Sequence, residues 1–161
     1  MAVINPVMTT VLREMIGDTD SSNYTYTDAR LEVLLTVSAY QVNQELDFTT
    51  SYTVDVAATG ITPDPVAQND HNFISLTTLK AACTSDMAEF RDKAKCASKV
   101  SDGLSSIDTT KQAEGYDKYN KSSNSNCSLY EETKLQYEAG NLGVGHVILG
   151  PYSQDLGGRL I

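Results

Sequence analysis

Apolar residues recur three or four positions apart along most of the first 139 residues, and this spacing constrains the fold more than any other feature. Between Val7 and Ile16 they come as adjacent pairs four residues apart. This spacing places them on one face of an α-helix. Gly17 can adopt the left-handed conformation that ends a helix. We therefore expect the first helix to stop at this glycine.

The same periodicity predicts several further helices. The second begins near Thr25 or Thr27, since either residue can cap it, and ends near Leu46 or Asp47. Later helices are predicted over residues 72–98, 110–121 and 128–139. Helices that each carry a single apolar stripe pack into a compact bundle. The fold class predicted from this pattern is mainly α.

A period of two interrupts the helical pattern between the second and third predicted helices. Tyr52, Val54 and Val56 alternate with Thr53 and Asp55, which is typical of a β-strand. The sequence GITPDP follows and favours a turn. We expect a short β insertion, over about residues 48–62, within a helical bundle domain that covers residues 1–139.

The last 22 residues, 140–161, differ in kind from the rest of the chain. They contain six of the ten glycines and nine large apolar side chains. A flexible linker is rich in glycine and serine and is polar, whereas this segment is apolar and too rich in glycine for a helix. We predict an extended C-terminal arm that docks on another molecule. The alternative is that the arm folds back onto its own bundle.

The charge of the chain argues against nucleic-acid binding. With 21 acidic and 12 basic residues the net charge is −9, and binding to phosphates requires cations that release counterions. No apolar run approaches the roughly 20 residues of a membrane-spanning helix, and the first residues do not resemble a signal peptide. We expect no membrane partner.

The cysteines predict a reduced protein. Cys83, Cys96 and Cys127 are odd in number, widely spaced and form no CxxC pair. This pattern argues against a disulfide framework and a zinc site, and it indicates synthesis in a reducing compartment. Because Cys83 lies on the apolar stripe of the long helix, we interpret it as a small core residue.

Residues for catalysis are sparse. Nothing in the sequence joins His71 or His146 to a nucleophile, and we expect His71 to be a surface residue at the start of the long helix. DTDSSN, from Asp18 to Asn23, begins like a calcium loop but lacks its later glycine and glutamate. GNLGVGHVILG lacks the lysine of a phosphate-binding loop. We predict no enzyme activity, no cofactor and no metal.

Tyrosine outnumbers phenylalanine nine to three. A tyrosine can bury its ring and keep its hydroxyl group at the surface. The bias therefore fits either protein interfaces or ordinary half-buried core positions, and both interpretations stay open.

Several local patterns follow one another in a defined order. They are LREMIGD (12–18), YTDARLEVLLTVSAYQV (26–42), GITPDP (60–65), FISLTTLKAAC (73–83) and DGLSSIDTTKQAEGY (102–116). In this order, with a last helix and a glycine-rich end, the chain resembles the head-to-tail adaptor (connector) proteins of tailed bacteriophages. The strand-like insertion around Tyr52 to Val56 departs from the minimal helical bundle of that family.

The resemblance implies a structural virion protein without enzyme activity or cofactor. It implies a ring of twelve copies beneath the portal, through which DNA passes without specific binding. The implied partners are the portal protein, neighbouring copies, and a head-closure or tail protein. The implied location is the neck of the virion, after assembly in the host cytoplasm. The arm residues expected to bind the portal are Leu142, Val144, Val147, Ile148, Leu149, Tyr152, Leu160 and Ile161.

Two other functions remain as alternatives. The first is another neck or tail component, such as a head-closure or tail-terminator protein, which would be richer in β-structure. The second is a small enzyme or regulator whose site the motifs do not reveal. We predict that the polar segment from Ser101 to Ser106 is a loop. It can be interpreted as an ordinary connection between helices or as a contact between subunits, and both interpretations stay open.

Overall fold

The structure is a computed structural model that describes residues 4–95, 99–101, 106–108, 114–115, 117–119, 121–122 and 124–141. Within these ranges the fold is mainly α with a short β insertion, as the periodicity predicted, and it has a second short hairpin that was not predicted. The elements are α1 (Pro6–Ile16), α2 (Asp28–Glu45), β1 (Thr53–Asp55), β2 (Gly60–Thr62), α3 (His71–Lys95), β3 (Lys99–Ser101), β4 (Ser106–Asp108) and α4 (Asn126–Asn141).

The first two helices begin and end on residues suited to those positions. Asn5 caps α1 by accepting a hydrogen bond from the backbone N–H of Val7 at 3.1 Å. Gly17 ends this helix with a φ of 73°, a conformation that costs glycine little. Thr27, not Thr25, caps α2 and accepts from the backbone N–H of Arg30. The predicted stop at Gly17 and the second of the two proposed caps are thus confirmed.

The predicted β insertion is an antiparallel hairpin. Val54 in β1 pairs with Ile61 in β2. Ile61 is buried in the core and Val54 packs against it, while Val56 in the turn is exposed. The hairpin therefore attaches to the bundle through one face. Its first strand lies where the alternation predicted it, whereas β2 occupies Gly60–Thr62, the start of the GITPDP segment for which a turn was predicted.

Helix α3 is the central element, since α1, α2 and α4 all contact it. The core has two clusters. The larger includes Met8, Leu12, Leu31, Leu35, Ala39, Tyr52, Ile61, Phe73, Ala81 and Ala82. The smaller joins α2, α3 and α4 through Val42, Leu46, Leu76 and Tyr130. Because α3 is covered on several sides, its buried face also includes the polar residues Thr77, Thr78 and Ser85.

A second hairpin, formed by β3 and β4, flanks the segment from Ser101 to Ser106 that was predicted as a loop; residues 102–105 lie outside the described residues. β3 pairs with β4 in an antiparallel register, with Val100 opposite Ile107. These two strands were not predicted, because strands of three residues are too short for a recognisable alternation. Of the helix predicted over 110–121, the described residues 114–115 and 117–119 are helical.

Cys83 and Cys127 form a disulfide bond, which contradicts the prediction of a reduced protein. Their Cα atoms lie 4.6 Å apart although 44 positions separate them in the sequence. The bond joins the middle of α3 to the first turn of α4. Sequence spacing could not reveal this pair, because only the packing of the two helices brings the cysteines together.

Candidate functional site

The predicted portal-binding residues lie outside the described residues. They are Leu142, Val144, Val147, Ile148, Leu149, Tyr152, Leu160 and Ile161. The structure does describe the end of α4, at Asn141, from which this segment departs. The surface around that helix end is therefore the described part of the molecule closest in sequence to the predicted site.

A groove lies between the first turns of α3 and the last turns of α4, and we call it the α3–α4 groove. Its volume is about 260 Å³, and its lining residues are Asn72, Leu76, Thr133, Gln136, Tyr137 and Gly140. None of these six residues is charged, although 20% of the chain is charged. The groove can therefore accept apolar side chains without desolvating a charge.

Aromatic residues pack behind this groove. The ring of Tyr137 lies 5.0 Å from that of Phe48, and Phe48 packs edge-on against Phe73 at 5.0 Å. Phe73 stacks on Tyr52 with 4.0 Å between ring centroids. Because α3, α4 and the connection between α2 and β1 contribute rings to this cluster, it fixes the helix ends that form the groove.

A second, larger groove of about 430 Å³ lies between α1 and α2 and is lined mainly by polar residues. At its centre the buried guanidinium of Arg13 forms ion pairs with Asp18 and Asp28. Arg13 also donates to the carbonyl of Tyr26 at 2.9 Å and lies 3.7 Å from the ring centroid of Tyr24. Its contacts tie the end of α1 to the start of α2.

Asp18 is buried and is not part of a solvated loop. Burial would raise the pKa of its carboxyl group, but the backbone N–H groups of Thr25 and Tyr26 and the charge of Arg13 lower it below its ordinary value. The Thr25 N–H donates at 2.7 Å. Asp20 is exposed, as expected. The sequence DTDSSN thus serves as a structural turn that positions Asp18 for Arg13.

A second charged cluster joins three helices around Glu45. Its carboxylate accepts hydrogen bonds from Lys134 at 2.7 Å, Tyr130 at 2.8 Å and Lys80 at 3.0 Å. The bonds from Lys134, Lys80 and Tyr130 outweigh burial and lower the pKa of Glu45 to about 2. This cluster fastens α2, α3 and α4 at one position.

Three tyrosines bury their rings and direct their hydroxyl groups to carboxylates. Tyr26 donates to Glu89 at 2.7 Å, Tyr52 to Asp70 at 2.8 Å, and Tyr130 to Glu45. Burial, followed by the hydrogen bond to each carboxylate, raises the pKa of all three phenols. For these residues the half-buried core interpretation is correct. Tyr24, Tyr40 and Tyr119 are exposed.

On α3 the acidic residues, Asp86 and Glu89 among them, are interleaved with lysines, a pattern from which we expect a solvated face, but these two have partners on other segments. Asp86 accepts a hydrogen bond from Asn126 at 2.9 Å, and Glu89 accepts from Tyr26. Burial raises the pKa of Asp86. The expectation was wrong because α4 and the chain before α2 cover this side of α3. His71 is exposed at the first position of α3, as predicted.

Among the described residues, no three His, Cys, Asp or Glu side chains are grouped so as to hold a metal ion. The helices in the same residues include none with the length and apolar character needed to span a bilayer. No family model, curated protein or solved structure matches the chain.

Proposed function

We propose that the protein is a head-to-tail adaptor of a tailed bacteriophage, which forms a ring under the portal and joins the capsid to the tail. The observation that carries this proposal is a helical bundle whose last helix ends at Asn141, directly before the apolar, glycine-rich segment 142–161. This order of elements agrees with what the resemblance implies.

The proposed binding element is the arm. Ordering a free chain costs about 1–2 kcal/mol per residue, and burying one large apolar side chain returns roughly 1.5–3 kcal/mol. Since fewer than half of the arm residues are large and apolar, these side chains need help from backbone pairing and from the many copies in a ring. A ring of adaptors on a ring of portal subunits supplies that multivalency.

The charge of the chain is compatible with a DNA channel. A closed ring requires contacts between two different faces of the same protein. A net charge of −9 repels DNA and neutralises no phosphate. An acidic inner wall would let DNA pass without adhesion, and a basic inner wall in the assembled ring would contradict this part of the proposal.

The two alternative functions have less support. A head-closure or tail-terminator protein would contain more β-structure than this protein, whose described residues include two hairpins with strands of three residues each. As for an enzyme, of the two grooves described above the one between α1 and α2 is the one lined by charged residues. The cation in its lining, Arg13, is already bound by Asp18, Asp28 and the Tyr26 carbonyl.

Co-purification with the portal protein encoded by the same genome tests the proposal. We expect the full chain to bind the portal and the variant V147D/I148D/L149D to lose binding. The control is Leu135→Asp, which removes an apolar side chain that is 64% exposed on α4 and should retain binding. Equal binding by all three proteins, or no binding by the unaltered chain, would contradict the proposal.

A further inference from the structure

The α3–α4 groove has the chemistry of a site for an extended apolar segment. Tyr137, which is partly exposed, lines the groove, and Leu76, which is fully buried, also borders it. Asn72 and Gln136 line the same groove, and the Gln136 amide also donates to the Glu132 carboxylate at 3.3 Å. An amide group can both donate and accept hydrogen bonds, so it can pair with the backbone of an extended segment that lies between the helices.

The position of the groove favours the arm of the same chain as the segment that binds there. Gly140 lines the groove, and the chain leaves α4 one residue later at Asn141. The 20 residues that follow therefore begin at the edge of the groove. A segment tethered this closely has a high effective concentration at the groove, which a segment from another molecule lacks.

The dimensions of the groove match one part of the arm. Its lining on α4 runs from Thr133 to Gly140, about 10 Å along a helix axis. Three extended residues span about the same length. Val147 to Leu149 form the one run of three consecutive large aliphatic residues after Asn141. Five residues, including Gly143 and Gly145, precede this run and can reverse the chain.

We propose that the α3–α4 groove of the isolated subunit holds Val147 to Leu149 of its own arm. This contact keeps the apolar run out of water before assembly. Because the run cannot occupy the groove and a portal surface together, portal binding releases it. The inference concerns the isolated subunit, so its test is independent of the portal.

A single tryptophan can report where the run lies, because the chain contains no tryptophan. The full-length variants Val147→Trp, Ile148→Trp and Leu149→Trp each place one probe in the run. We expect at least one of them to emit at shorter wavelength than the same variant unfolded in guanidinium. Emission at the unfolded wavelength from all three would overturn the proposal.

Groove substitutions then locate the probe. Thr133→Arg or Gln136→Arg should shift the emission to longer wavelength, because either places a cation in the groove. The matched control is Thr10→Arg on α1. Thr10 and Thr133 both donate from their hydroxyl groups to the carbonyl four residues earlier. Circular dichroism confirms that each variant is folded.

The remaining outcomes also decide the question. An emission that neither groove substitution changes would place the run elsewhere and overturn the proposal. A shift to shorter wavelength that develops only as the protein concentration rises would assign the groove to the arm of a second copy and would also overturn it. We predict that the emission wavelength does not depend on protein concentration. We also predict that the groove substitutions change it and that Thr10→Arg does not.

Discussion

Thr77 and Thr78 are consecutive residues of α3 that are both fully buried, but their hydroxyl groups differ. Thr78 donates a hydrogen bond to the carbonyl of Ile74 at 2.8 Å. Thr77 Oγ1 has no hydrogen-bond partner among the described residues. A buried hydroxyl group that lacks a partner keeps the cost of desolvation without a compensating bond.

Thr77→Val should therefore stabilise the protein. Valine has nearly the same shape and removes the unpaired hydroxyl, so we expect the free energy of unfolding to rise by about 1 kcal/mol. Thr78→Val is the matched control and should not stabilise, because it removes a bonded hydroxyl. Denaturation in urea measures both. A loss of stability in Thr77→Val equal to that in Thr78→Val would contradict the account.

Glu45 should make stability depend on pH in the acid range. Its pKa is lowered from 4.5 to about 2 in the fold, so its contribution is complete above pH 4.5 and is lost as the pH falls towards 2. Since its side chain is 32% exposed, solvent screening limits this contribution to roughly 1–2 kcal/mol.

Glu45→Gln isolates this effect, because glutamine cannot titrate. The unaltered protein should have a higher free energy of unfolding than the variant, and the difference should be largest near pH 7. The difference between the two proteins should narrow as the pH falls from 4.5 to 2. A difference that stays constant over this range would mean that the cluster with Lys80, Lys134 and Tyr130 does not stabilise the charged form.

At the scale of elements, the disulfide bond is the main link between α3 and the start of α4. It closes a loop of 44 residues between Cys83 and Cys127. In the chain-entropy description, restricting a loop of this length in the unfolded state stabilises the fold by up to about 4 kcal/mol. The bond thus holds α4, and with it the base of the arm, against the bundle.

C83A/C127A should lower the free energy of unfolding by about 2–4 kcal/mol. Thiol titration provides the direct control. The unaltered chain, unfolded without reductant, should present one reactive thiol per monomer, and three after reduction. Three thiols before reduction, together with no effect of the double substitution on stability, would show that the bond does not form in solution.

The helices and the first hairpin could be predicted from the sequence because local spacing determines them. The apolar pairs of α1 include the buried Met8 and Leu12. The alternation that starts at the buried Tyr52 continues to Val54, which packs against the core. The features that could not be predicted depend on contacts between distant segments. The ion pair of Arg13 with Asp28 and the disulfide bond exist only once the helices have packed.

For the candidate site, too, local composition supported a prediction and long-range contacts did not. The composition of residues 140–161 predicts an apolar arm. Gly140 and Asn141 belong to α4 instead, and for residues 142–161, which lie outside the described residues, the arm stays a prediction. The α3–α4 groove could not be predicted, because Asn72 and Leu76 meet Thr133 and Tyr137 only in the folded bundle. No short motif records such a surface, since each helix contributes its residues at ordinary helical spacing.

At the scale of the whole molecule, the proposed function requires a stable bundle that carries a separate binding element. The charged clusters at Arg13 and Glu45 and the disulfide bond fasten the helices to one another. The arm starts where α4 ends. A rigid base of this kind lowers the cost of positioning many arms at once around a ring.

The most direct measurement is a cryo-electron microscopy map of the protein bound to the portal protein encoded by the same genome. The account predicts a closed ring of helical bundles, with density for residues 142–161 extending onto the portal and with Val147 to Leu149 buried there. A map in which these residues lie within their own subunit and contact no other chain would contradict the central claim.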